Sequence, residues 1–355
     1  MSSEAFETMS DERDETMETK KVVVTGAGGF IGHHLVSYLK AKGYWVRGVD
    51  LKHPEFKPTD ADEFELLDLR MWANCLQATR GTQEVYALAA DMGGMGFIST
   101  HNAQVIYSNA LINLHTIEAA RINGAKRVFY SSSACIYPIY KQRETNVIPL
   151  KEEDALPAEP EDAYGWEKLL TELLYKYYRT DYALETRIAR FHNIFGPHGT
   201  WEGGREKAPA ALCRKIAVAK LTGNHDIDIW GDGEQTRSFC YIDDCLEGIY
   251  RLMRSDHNEP LNIGQDRLIT VNELADLVAQ IAGIEIVKRH VSGPQGVRGR
   301  NSDNTRLRHV LQWQPQISLE DGMRRTYAWI EELVRQRIAA DPTQARLLAQ
   351  SSIPK

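Results

Sequence analysis

A tyrosine and a lysine four residues apart, in Tyr164-Gly-Trp-Glu-Lys168, form a pair whose types and spacing could do acid–base chemistry. The segment continues through Leu169, Leu170 and Leu174 with helical spacing. Four helical residues turn through about 400°, so both side chains share one face. A free phenol titrates at about 10 and is a poor base at neutral pH; an adjacent ammonium stabilises the phenolate and lowers that value. Upstream lies Ser131-Ser132-Ser133, whose last hydroxyl could hold a substrate hydroxyl while Tyr164 takes its proton. That trio suits the oxidation of an alcohol, with the hydride leaving for a nicotinamide. Two further residues exceed what such an oxidation needs. Cys135 lies two beyond Ser133 and should face the same cavity. Lys207 sits in Trp201-Glu-Gly-Gly-Arg-Glu-Lys-Ala-Pro209, a glycine-rich loop ahead of a helix. Taken singly, the thiol reads as a small buried hydrophobe and the ammonium as a solvated loop cation.

Hydride chemistry needs a nucleotide-binding frame, and the chain opens with one. Lys21-Val-Val-Val-Thr25 reads as a buried strand and runs into Gly26-Ala-Gly-Gly29-Phe30-Ile31-Gly32. His33 to Lys42 reads as a helix with Leu35, Val36 and Leu39 on its apolar stripe. Tyr44 to Val49 is the next strand, ending in Asp50. Gly26 permits the tight turn, Gly29 the approach of a pyrophosphate, and Gly32 the close packing of helix on sheet; Phe30 and Ile31 complete the turn. The helix N-terminus offers free N–H groups and the positive end of its dipole. Asp50 stands where a carboxylate accepts the ribose hydroxyls of NAD and repels the 2′-phosphate of NADP. NAD is the expected cofactor.

Strand and helix keep alternating. Phe64 to Leu69 is a third strand, Glu84 to Ala90 a fourth and Lys126 to Tyr130 a fifth, with helical spacing from Ala103 to Asn123. The class is α/β, a Rossmann-like, doubly wound parallel sheet with a smaller C-terminal α/β substrate-binding domain. Residues 1–20 carry seven Asp or Glu against Arg13 and Lys20 and read as a disordered acidic leader. The expected division is a NAD-binding domain over 21–190, a mainly substrate-binding part over 191–332 with some return to the first domain, and a tail over 333–355. With 42 basic and 49 acidic side chains in 355 residues, the net charge of −7 makes nucleic acid a poor partner. No apolar run is long enough for a membrane span. Five cysteines without a paired framework point to a reducing cytoplasm. Asp243-Asp244 opens a helix, where acids favour the dipole, and no cluster has metal spacing; no metal is expected.

The spacing Gly-x-x-Gly-x-x-Gly resembles the short-chain dehydrogenase/reductase superfamily. That resemblance implies an adenine contact at Asp68 and makes Ser133, Tyr164 and Lys168 the oxidising trio. Longer motifs narrow it. Asp91-Met-Gly-Gly-Met-Gly-Phe97, Ser132-Ser-Ala-Cys-Ile-Tyr-Pro138, Pro157-Ala-Glu-Pro160, Arg190-Phe-His-Asn-Ile194, Gly203-Gly-Arg-Glu-Lys-Ala-Pro-Ala210, Trp230-Gly-Asp-Gly233 with Gln235-Thr-Arg-Ser-Phe239, and Val297-Arg-Gly-Arg-Asn-Ser-Asp-Asn304 together resemble the GDP-mannose 3,5-epimerase family. The resemblance runs from about Lys21 to Ile330.

It implies transient oxidation of the mannosyl ring at C4 by tightly held NAD, which acidifies the hydrogens on C3 and C5. Cys135 and Lys207 then serve as base and acid, and the hydride returns; the implied products are GDP-L-galactose and, by inversion at C5 alone, GDP-L-gulose. Inverting a carbon does require a base on one face and a proton donor on the other. The adjacent Glu206 is expected to keep Lys207 charged. The resemblance also implies substrate contacts at Gly93, Ser133, Cys135, Asn193, Glu206, Lys207, Lys215, Gln235, Arg237 and Arg300, and a homodimer. Arg205, Arg214 and Arg298 join these cations as candidates for a diphosphate, which an acidic chain must meet by concentrating charge locally. UDP-sugar 4-epimerases are similar but usually carry Thr where Cys135 stands, and 4,6-dehydratases an Asp-Glu pair at Ala134 and Cys135. A 4-epimerase is the alternative within the class; a catalytically silent NAD-sensing scaffold is the alternative outside it.

Overall fold

The structure is a computed structural model that describes residues 20–350. All of the expected acidic leader except Lys20, and the last five residues of the expected tail, lie outside the described residues. The chain begins β1 (Lys21–Thr25), α1 (Phe30–Ala41), β2 (Trp45–Asp50), β3 (Glu63–Leu66), α2 (Trp72–Thr79) and β4 (Glu84–Ala87). It continues through α3 (Met95–Ile98), α4 (Asn102–Ile122), β5 (Arg127–Ser133), α5 (Ala163–Tyr182), β6 (Glu185–Phe191) and β7 (Ile194–Phe195). There follow α6 (Ala208–Thr222), β8 (Asp226–Trp230), β9 (Thr236–Ser238), β10 (Cys240–Tyr241), α7 (Ile242–Arg254), β11 (Leu261–Ile263) and β12 (Leu268–Thr270). The last elements are α8 (Val271–Ala282), β13 (Val287–Val291), β14 (Gly299–Arg300), α9 (Thr305–Leu311), α10 (Leu319–Ala340) and α11 (Gln344–Ala349).

Seven strands form one sheet in the order β11-β6-β5-β4-β1-β2-β3, every pair parallel. Val22, Val23 and Val24 have no exposed surface, because a parallel strand with helices on both faces must be apolar throughout. Strand order reverses between β1 and β4, and a crevice opens there at the carboxyl ends of the strands. Both edges of that crevice come from the sequence expected to build it. The glycine turn follows β1. β4 ends at Ala87, sooner than the expected Ala90, and Leu88 and Ala89 instead donate their N–H groups to Thr25 Oγ1. β5 runs further than expected and takes in all three serines.

The later half is smaller and irregular: β8 pairs with β13, β9 lies between β12 and β14, and β7 pairs with β10. Helices α8, α10 and α11 pack on α6. The segment beyond residue 332 continues α10, and it buries Val334 and Leu348 in the principal core.

Candidate active site

The turn after β1 shows why three glycines are spaced as they are. A Cβ on Gly26, whose φ is +73°, would stand 2.9 Å from the Ala89 nitrogen, so this turn lies hard against the end of β4. A Cβ on Gly32 would stand 2.1 Å from the Gly26 carbonyl oxygen. Gly32 is already inside α1, which begins at Phe30 and not at the expected His33, so its missing side chain lets the helix sit on its own entry turn. No side chain caps α1 at Gly29, and its first-turn N–H groups are left for an external anion. Gly28 went unnoticed in the sequence: its N–H donates to Asp50 Oδ2 at 2.9 Å, and a Cβ there would stand 2.1 Å from the Lys52 carbonyl oxygen. Asp50 Oδ1 also accepts the Leu51 N–H at 2.6 Å. An uncapped helix end, a cradle that any Cβ would fill and a carboxylate at the tip of β2 fit a dinucleotide. Asp68 lies past the end of β3, with its carboxylate forked by Arg70.

The oxidising trio meets at the carboxyl end of β5. Ser133 is its last residue, and its Oγ accepts the Cys135 N–H at 3.1 Å. Tyr164 and Lys168 lie in the first turns of α5, whose N-cap Asp162 accepts the Gly165 N–H at 2.9 Å. Gly165, also missed in the sequence, sets the distance between these elements: a Cβ there would stand 2.3 Å from the Cys135 carbonyl oxygen. The Lys168 ammonium donates to the Ser131 carbonyl at 2.8 Å and lies 5.6 Å from the Tyr164 ring centroid. Burial lowers that lysine's pKa. Burial, followed by the charges of Cys135 and Glu167, pushes the Tyr164 phenol well above its ordinary value, against a pull from Ser133. Desolvation therefore dominates the phenol in the free protein, where a lowering by Lys168 was expected.

Beneath the trio, a buried polar network fixes the sheet. Glu172 of α5 accepts Ser132 Oγ and forms a two-pronged ion pair with Arg190 of β6. Arg190 also donates to the Tyr137 hydroxyl, which donates to Asn262 Oδ1 of β11 at 2.6 Å.

Cys135 and Lys207 are brought to the same cleft from opposite halves of the chain. Cys135 is half-buried in the turn after β5, and Arg300 Nη1 of β14 lies 3.3 Å from its Sγ. Lys207 caps α6 with extended backbone. Its surface is open to the cleft while protein surrounds it, and that desolvation lowers its pKa; the charges of Cys135 and Cys245 act in the other direction. Glu206 does not play its expected part. Successive side chains of an extended segment point to opposite sides, and Glu206 turns away to pair with buried Arg214 at 2.6 Å. Arg214 in turn holds the carbonyls of Trp201 and Leu348 and is no diphosphate ligand. Arg298 forks Asp232 at the surface.

Arg237 and Arg300 do converge. Burial and then Arg300 push the Arg237 guanidinium down to about 9. Arg237 donates to the Thr236 and Gln295 carbonyls; Arg300 donates to Gln142 Oε1 and the Cys135 sulfur. Among the described residues neither has a carboxylate partner. Glu161 acts on both guanidiniums and Asp162 on Arg300 through space, without an ion-pair contact, so guanidinium N–H donors stay uncommitted to a carboxylate and can receive an anion. Lys215 is nearly buried, donates to the Asp228 carbonyl at 2.5 Å, and is pushed down to about 8 by burial and Arg214. Gln235 donates to the Trp230 carbonyl and leaves a buried Oε1 without a partner. Asn193 adopts a left-handed φ of +45°, fixed by its bond to the Ser238 carbonyl. Gly93 lies in the loop before α3. Among the described residues no cluster of His, Cys, Asp or Glu could hold a metal.

Residues 22–264 match the model of the NAD dependent epimerase/dehydratase family. The GDP-mannose 3,5-epimerase of Arabidopsis thaliana is 52 % identical over 324 residues, covering 91 % of this chain and 85 % of that protein. The match spans both halves of the cleft, so it includes the Cys135 and Lys207 segments. Among solved structures, UDP-glucose 4-epimerase from Thermotoga maritima with UDP-glucose superposes with a TM-score of 0.80 at 26 % identity, over 88 % of this chain and 99 % of that one. UDP-glucuronic acid 4-epimerase from Bacillus cereus, solved with UDP-glucuronic acid and NAD, gives 0.74 at 25 % identity over 88 % and 99 %.

Proposed function

This chain belongs to the NAD dependent epimerase/dehydratase family, and we propose that it inverts the mannosyl ring of GDP-mannose at C3 and C5. The products are GDP-L-galactose and, from inversion at C5 alone, GDP-L-gulose. The observation that supports this reading is that Cys135 packs against the cluster of Tyr164 and that its charge acts on Lys207: with Ser133 and Lys168 these make five candidate groups, of which a 4-epimerase needs only three. The substrate is that of the Arabidopsis relative.

Bound NAD supplies the acceptor for a hydride from C4 and the donor that returns it, and brings a positive charge into the cleft. Ser133 orients the C4 hydroxyl, and Tyr164 takes its proton with Lys168 behind it. The C4 carbonyl then withdraws electrons from both neighbouring carbons, so their hydrogens become exchangeable. At each carbon one of Cys135 and Lys207 removes the proton while the other delivers one to the opposite face. Tyr164 finally returns its proton to the C4 oxygen. Arg237, Arg300 and Lys215 hold the diphosphate, and Asn193, Gln235 and the Gly93 backbone meet the nucleotide sugar.

The same reading extends to assembly and location. Ile106, Tyr107 and Leu114 of α4, with Trp166, Leu170, Leu173 and Tyr177 of α5, are exposed on two helices that pack together. A second copy of the chain covers this face in a homodimer. Five free cysteines suit the reducing cytoplasm, and no described helix is long and apolar enough to cross a membrane. Incubation with GDP-mannose and with UDP-glucose, followed by chromatography of the nucleotide sugars, tests the substrate. Conversion of GDP-mannose with NAD in trace amounts supports the proposal. Preferential inversion of UDP-glucose at C4, or one NAD consumed per product, overturns it.

A further inference from the structure

The geometry points to Arg205 as a positioning residue, a latch that fixes the Lys207 loop against the wall of the cleft carrying Tyr164 and Cys135. The inference rests on the epimerase reading above. Arg205 stands two residues before Lys207, and three contacts of different kinds tie it to the loop after β4 and to α3. Its guanidinium lies 3.7 Å from the Phe97 ring centroid. Its Nη1 lies 3.3 Å from Asp91 Oδ1, and its carbonyl accepts the Gly94 N–H at 2.9 Å. A Cβ on Gly94 would stand 2.5 Å from the Glu206 carbonyl oxygen, so the glycine is what lets the two backbones meet. Phe97 beneath the guanidinium is buried in one apolar cluster with Tyr164, and Met92, Met95 and Cys135 pack against it. Arg205 thus links the loop that carries the ammonium to the cluster that carries the phenol and the thiol.

The loop needs such a link. Gly203 and Gly204 hold φ of +85° and +86°, and nothing lies within 4 Å of a Cβ placed on Gly203. From behind, Glu206 is anchored to Arg214 and to the Gly204 N–H. That anchor faces away from the cleft and does not set the reach of Lys207 toward Cys135. Oxidation at C4 uses groups on β5 and α5 alone, so loosening the latch strikes proton exchange and spares oxidation. The contacts themselves are surface contacts of small energy. A displacement of about 1 Å at a reacting group, by contrast, costs roughly 100-fold in rate.

The test compares the holoenzyme with Arg205→Ala, Arg205→Lys and Gly94→Ala, each given GDP-mannose in deuterated water. NMR reads deuterium entry at C3 and C5, and borodeuteride quenching with mass spectrometry reads the 4-keto sugar. Arg205→Ala is expected to slow exchange about 10- to 100-fold, with 4-keto sugar undiminished and KM nearly constant. Arg205→Lys should recover much of the exchange, because it keeps the charge over Phe97 and beside Asp91. Gly94→Ala pushes the loops apart from the other side and should give the same signature as Arg205→Ala. Wild-type exchange in Arg205→Ala overturns the latch. So does loss of 4-keto sugar in step with exchange, which is general damage, or a raised KM at constant kcat, which is a substrate contact. If the wild-type enzyme itself exchanges neither hydrogen, the epimerase reading fails and not the latch.

Discussion

Gly32→Ala isolates the link between the turn and the cofactor. The added Cβ would stand 2.1 Å from the Gly26 oxygen, 2.6 Å from the Gly26 carbon and 3.0 Å from Ala27 Cα, where ordinary contact begins at 3.4 Å. All three neighbours are backbone and cannot rotate aside, so α1 must move off the turn by about 1 Å. Leu35, Val36 and Leu39 of that helix have no exposed surface, and forcing a packed core apart by this much costs about 1–3 kcal/mol. The same shift carries the first-turn N–H groups out of reach of a phosphate. Losing two such charge-assisted bonds, at about 1.5 kcal/mol or more each, weakens NAD binding roughly 100-fold. Urea unfolding of the apoprotein and calorimetric titration with NAD measure the two effects separately. Gly43→Ala is the control: its φ is +84° and nothing lies within 4 Å of a Cβ there. It should cost about 1 kcal/mol of backbone strain and leave NAD affinity unchanged. A Gly32→Ala protein that bound NAD as tightly as wild type would refute the assignment of this turn as the phosphate cradle.

Other outcomes follow from the division of labour in the cleft. Tyr164→Phe should abolish both the 4-keto sugar caught by borodeuteride and exchange of the ring hydrogens, each by at least about 100-fold. Cys135→Ala should keep the 4-keto sugar and lose 10²- to 10⁴-fold in exchange, roughly 3–5 kcal/mol of barrier; wild-type exchange would leave Cys135 as a packing residue. Lys215, pushed down to about 8, is charged below that pH and neutral above it. Because a diphosphate favours the charged form, KM for GDP-mannose should rise as pH passes about 8, and Lys215→Met should remove that step from the pH profile.

Most of the frame was legible because its signals are local. The valines of β1, the glycines after it and Asp50 all belong to one continuous stretch, and the Tyr164–Lys168 pair is fixed by helix geometry alone. What escaped depends on contacts between distant segments. Gly28 and Gly165 look like any other glycine until Lys52 and the Cys135 carbonyl are placed against them. Arg214 and Arg237 carry the same charge in the sequence, yet one is neutralised by Glu206 and the other is left beside Arg300. Glu206 and Lys207 are neighbours in the chain, and extended backbone sends them to opposite sides. The phenol was expected to be lowered by its lysine, but the sequence does not disclose how fully both would be buried.

Solvent labelling tests the central claim most directly. The enzyme with its NAD is incubated with GDP-mannose in deuterated water, and the ring positions of the recovered nucleotide sugars are read by NMR. Deuterium at both C3 and C5, with C4 unlabelled, is the predicted result, since only the two carbons flanking the transient ketone exchange with Cys135 and Lys207 while the hydride on C4 never meets solvent. Conversion without label at C3 or C5 would contradict the account.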